Sequence, residues 1–138
     1  MPRAITEACN WLGPGIASSG RWIYQLSRAD IAEIDAALEF GKARGMGLAD
    51  LTKENFPLPA FQARIDTMLD EIETGLGIYL LRGFPALNYG KGDLRHICWG
   101  IGLYCGQAVS QSKRGDLLGD VRDIGTPADG PTFRGYTS

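Results

Sequence analysis

Gly75-Leu76-Gly77-Ile78-Tyr79-Leu80-Leu81-Arg82-Gly83-Phe84-Pro85 is the stretch on which the fold of this chain turns. Ile78 to Arg82 is a short apolar run of β-favouring residues, bounded by Gly77 and by Gly83-Phe84-Pro85. Its length and punctuation predict a buried strand. On both sides the period changes to that of a helix. Upstream, Phe61, Ile65, Met68, Leu69 and Ile72 form one stripe of a helix over residues 60–74, which Gly75 and Gly77 end. Downstream, Leu94, Ile97, Cys98, Ile101 and Cys105 mark a helix over residues 91–105. Gly100 and Gly102 weaken that helix by ~1 kcal/mol each relative to Ala, a cost a close contact can justify.

Further out, Ser27-Arg28-Ala29-Asp30 reads as a capping box with an acidic residue at the third helical position. Ile31, Ile34 and Leu38 follow at helical spacing beside Ala37, and Asp30, Glu33 and Asp35 oppose the positive end of the helix dipole. Gly41 is the expected stop. A loop runs from there to Pro59, and Phe56-Pro57-Leu58-Pro59 within it must be extended. Residues 1–26 read as an irregular arm anchored by Trp11, Trp22, Ile23 and Tyr24. Past Gly106 the texture is that of strands. Ala108-Val109-Ser110-Gln111 is one candidate and Leu117 to Asp123 another, followed by a loop-like stretch over residues 124–138.

Composition narrows the classes. The chain has 138 residues, 44% apolar and 22% charged, with a formal net charge of −2. That fits one soluble domain and not a disordered chain. A balance so near neutral argues against a nucleic-acid partner, which would call for a basic stripe. The 19 glycines and 7 prolines point to many turns and short strands. Ile97 to Cys105 is the longest apolar stretch, far short of the ~20 residues of a membrane span. Met1 to Gly13 has no apolar segment behind its basic residue, so a cytoplasmic location is expected, without a membrane partner. Cys9, Cys98 and Cys105 are odd in number and form no CxxC. Buried thiols in a reducing compartment are therefore expected, not disulfides or a zinc ribbon.

Few residues carry chemistry. Gly100-Ile101-Gly102-Leu103-Tyr104-Cys105-Gly106 is GxGxxxG, one residue too long for a dinucleotide loop, and it follows a helical pattern instead of a strand. His96 is the single histidine, which excludes any mechanism needing two within these residues. It lies beside an apolar helix stripe, where a packed side chain is the ordinary role. Asp116, Asp120, Arg122 and Asp123 form a denser charged group. On a strand Asp120 and Arg122 share a face, and buried charges need partners or a polar ligand. Gln111 closes the preceding strand and could reach the same space. Gln111, Asp120 and Arg122 are thus candidate substrate-side residues, against the alternative of a structural ion pair and a loop hydrogen bond.

Several segments together resemble a known family. They are Trp99-Gly100-Ile101-Gly102, Val109-Ser110-Gln111, Gly115-Asp116-Leu117-Leu118-Gly119-Asp120-Val121-Arg122-Asp123 and Arg134-Gly135-Tyr136. With Phe56-Pro57-Leu58-Pro59 and the stretch quoted first, they resemble the N-terminal part of TauD/TfdA-type oxygenases over about residues 22–138. The resemblance implies iron(II) and 2-oxoglutarate as cofactors and oxidation of a small organic substrate. It implies an α+β fold, with N-terminal helices packed on the first strands of an incomplete double-stranded β-helix, or jelly-roll. In those terms residues 1–138 form a single domain: the arm over 1–26, a helical layer with one core strand over 27–105, and the first jelly-roll strands over 106–138. The family binds iron through an HxD pair and a distant second His. No HxD occurs in these residues, so no catalytic or metal-ligating residue is expected among them. The chain therefore reads as a fragment, not competent alone and open to self-association through unpaired strands. The alternative is a non-catalytic binding or interaction module.

Overall fold

The computed structural model describes residues 6–111 and 115–120. It divides the chain into two units, Met1–Ala108 and Val109–Ser138. In the first unit the helices form where the apolar stripes predict them. The arm holds a short helix α1 (Gly13–Ser19) and a strand β1 (Ile23–Gln25), followed by helix α2 (Arg28–Ala43). A 3-10 turn at Leu48–Asp50 leads to α3 (Phe61–Thr74), strand β2 (Leu80–Arg82), a second 3-10 turn at Ala86–Asn88, and α4 (Lys91–Cys105).

Local chemistry sets the helix starts. The capping box at Ser27 forms in full: the Asp30 backbone N–H donates to Ser27 Oγ at 3.1 Å, and the Asp30 carboxylate accepts from the Ser27 backbone N–H at 2.7 Å. Helix α3 has no side-chain cap of its own. Its start is held from α2, because Glu33 Oε1 accepts from the backbone N–H groups of Ala60 at 2.8 Å and Phe61 at 3.1 Å. A carboxylate suits the positive end of a helix dipole.

The core lies between α2, α3 and α4. Ile34, Phe56, Leu58, Phe61 and Ile65 are almost completely buried. The extended Phe56–Leu58 segment is fixed through Tyr104, whose hydroxyl accepts from the Leu58 N–H at 3.0 Å and lies 3.1 Å from the Phe56 carbonyl. Gly100 lets the Phe56 ring approach α4: a Cβ there would sit 2.4 Å from that ring. Gly102 meets nothing within 4 Å, so the close contact expected of the two glycines exists at one of them.

Four expectations need correction. The arm is not wholly irregular, since it contains α1 and β1; β1 pairs in parallel with β2, with Tyr24 opposite Leu81. Helix α2 runs past Gly41, which is buried within it. Strand β2 is not buried along its length, because Leu80 and Arg82 are exposed and only Leu81 turns inward. The buried side of α4 is Ile97, Gly100 and Tyr104, and all three cysteines are exposed. The Phe56 ring packs on that helix at Gly100, a position outside the predicted stripe.

No strand forms over residues 108–111 or 117–120, and residues 121–123 of the second predicted strand lie outside the described residues. Neither segment has a ladder partner among the described residues, and Val109 and Leu117 are 67% and 44% exposed. The Gln111 N–H donates to the Asp116 carbonyl at 2.7 Å.

Candidate functional site

Of the three predicted substrate-side residues, Gln111 and Asp120 lie among the described residues. The Gln111 amide turns back on its own segment, with Nε2 donating to the Val109 carbonyl at 3.0 Å. Asp120 is exposed, and Arg122 lies outside the described residues. The period-two argument that put Asp120 and Arg122 on one face needs a strand, and through Asp120 there is none.

His96 sits half-buried on α4. Its Nδ1 is 3.0 Å from the Gly92 carbonyl and its Nε2 is 3.1 Å from the Met46 carbonyl. Among the described residues, no three His, Cys, Asp or Glu side chains are grouped to hold a metal ion. Cys105 is no better as a nucleophile. Its Sγ folds back to the Ile101 carbonyl at 3.5 Å, and partial burial of the sulfur, although the residue as a whole is exposed, pushes the thiol pKa up, with a smaller contribution from Cys98.

Two polar pairs were not foreseen from the sequence. The Tyr89 hydroxyl donates to Asp35 Oδ1, joining the connection after β2 to α2, and the Tyr89 ring stacks on Phe84 at 5.1 Å. Burial first, and the bond to Asp35 second, push the Tyr89 phenol up to about 12. At Asp30, burial pushes the carboxyl up. Hydrogen bonds from the Ser27 N–H and hydroxyl and from Tyr24, together with the Arg64 charge, outweigh it and leave the carboxyl below its ordinary value. The acidic run of the first turns was legible, but not its distant partners.

Beside these lies a cavity of about 350 Å³. Ile34 of α2, Phe61 of α3, Leu81 of β2, Phe84, and Ile97 and Ile101 of α4 line most of it. The stretch quoted first thus supplies one wall through Leu81 and Phe84, as its apolar run allowed but did not require. Such walls suit an apolar occupant and offer no acid, base or ligand set.

No family model matches the chain. Curated relatives do. The chain is 27% identical to "FR-33289 synthase" of Streptomyces rubellomurinus over 137 residues, 99% of this chain and 40% of that protein. It is 26% identical to "Taurine hydroxylase-like protein SAT17" of Stachybotrys chartarum over 126 residues, 91% of this chain and 33% of that protein. The chain is a distant relative of the TauD-like proteins. The TauD-like relationship covers nearly all of it, including the segments that carried the resemblance. The chain in turn spans well under half the length of these TauD-like relatives.

Proposed function

We propose that these residues form the helical layer and first strands of an iron(II)/2-oxoglutarate-dependent oxygenase that oxidises a small organic substrate. We propose also that they do not hold the iron by themselves. The supporting observation is 27% identity to a TauD-like relative across 99% of the chain. The donor set does not fit a resident iron: a facial triad takes two histidines and a carboxylate, and the sequence has one histidine. No catalytic step is therefore assigned to these residues. Their contribution is a packed scaffold with an apolar cavity on it. The test is to read the coding sequence beyond codon 138 for an in-frame HxD, which the proposal expects. An in-frame stop, with no 2-oxoglutarate turnover by the purified chain, would instead favour a non-catalytic binding module.

A further inference from the structure

We propose that His96 is a backbone tether, its ring set between two carbonyls, and not a ligand of the iron that the TauD-like relationship implies; this rests on the oxygenase reading above. A histidine ligand points one ring nitrogen's lone pair at the metal while its other N–H is held by an acceptor. At His96 both nitrogens face acceptors, Gly92 one turn back on α4 at 3.0 Å and Met46 fifty residues away at 3.1 Å. A carbonyl only accepts, so the neutral ring, with one N–H, bonds one of the two carbonyls at a time, and the doubly protonated ring bonds both. The carboxylate three residues before it, Asp93, is engaged by Lys42 at 3.1 Å. What the tether secures is the connection after α2. Met46 follows the end of that helix, its N–H donating to the Gly41 carbonyl at 3.2 Å, and the 3-10 turn at Leu48–Asp50 packs on α4. The Met46 contact and the Lys42–Asp93 pair thus fasten the same stretch of chain to α4.

The experiment compares the purified 138-residue chain with H96A and H96Q, by thermal unfolding and by anaerobic titration with iron(II) and 2-oxoglutarate. Losing the tether should lower the Tm of H96A by about 5 °C. H96Q, which keeps one donor group, should fall between, and it alone carries the comparison if H96A does not fold. The charge-transfer band of an iron–2-oxoglutarate complex should be missing from every titration. A Tm unchanged by both substitutions overturns the tether. A one-to-one band in the parent chain that vanishes in H96A makes His96 a ligand and overturns the proposal. A band that persists in all three with the Tm shift intact supports the tether and overturns the separate reading that these residues do not hold iron.

Discussion

Gly100 and Tyr104, one turn apart on α4, hold the segment that carries Phe56 and Leu58 into the core. The first works by lacking a side chain and the second by its hydroxyl. Gly100→Ala would place a methyl 2.4 Å from the Phe56 ring, within the core. Overpacking of this kind costs about 1–3 kcal/mol. Gly102→Ala meets open space and should gain up to ~1 kcal/mol from helix propensity. Urea midpoints of the two variants should therefore move in opposite directions, and a shared direction would refute the assignment of Gly100 to close packing. Tyr89 makes a second prediction. Its phenol is raised from 10.0 to about 12, so the neutral form is favoured by the fold. That contribution is fully present below the unfolded value and is lost as pH rises from about 10 to about 12. The stability gap between the parent chain and Tyr89→Phe should shrink between pH 9 and pH 11. A gap that stays constant would show that the hydroxyl's titration is not coupled to folding.

Among the elements, α2 has the start most fully written in its sequence. Ser27 and Asp30 satisfy each other's backbone N–H groups, so Ser27→Ala should cost about 0.5–2 kcal/mol in chemical denaturation. Glu33→Gln should be destabilising too, although it lies on α2, because it removes the charge that caps α3. An effect of Glu33→Gln no larger than that of a substitution at exposed Glu39 would disprove that cap. This contrast marks what could be read in advance. The ranges of α3 and α4 follow from apolar spacing, since a helix that buries one side must repeat every three to four residues. The side that α4 buries does not follow, because spacing ranks Cys98 and Cys105 above Gly100 and Tyr104. Only the path of Phe56 decides between them. Helix α1 was hidden because Gly13-Pro14-Gly15 reads as a turn, although proline is favourable at a helix start. The proposed substrate residues depended on strands past Gly106, and a strand needs a partner that its own residues do not specify.

At the scale of the molecule, the sheet raises the largest physical question. β1 and β2 are three residues each, paired in parallel, and no other described strand joins them. Parallel sheets are ordinarily covered on both faces, and a two-stranded pair is marginal without further strands or helices. Here Tyr24 and Leu81 turn toward the helices, with Arg64 of α3 lying 4.0 Å over the Tyr24 ring. Leu80 is 37% exposed on the strand, and Leu87 is fully exposed just beyond it. An open edge with apolar residues beside it is a template for another strand. We expect the 138-residue chain to self-associate by this route. Sedimentation velocity across a hundredfold range of concentration should show the average mass rising. Leu80→Lys should suppress that rise, because a charged side chain on an edge strand opposes pairing, and an exposed position should tolerate it without loss of Tm. The control is Leu12→Lys, which changes an exposed leucine on the arm that belongs to neither strand. Association that Leu12→Lys abolishes and Leu80→Lys leaves intact would move the contact off the sheet, and a monomer at every concentration would refute self-association altogether.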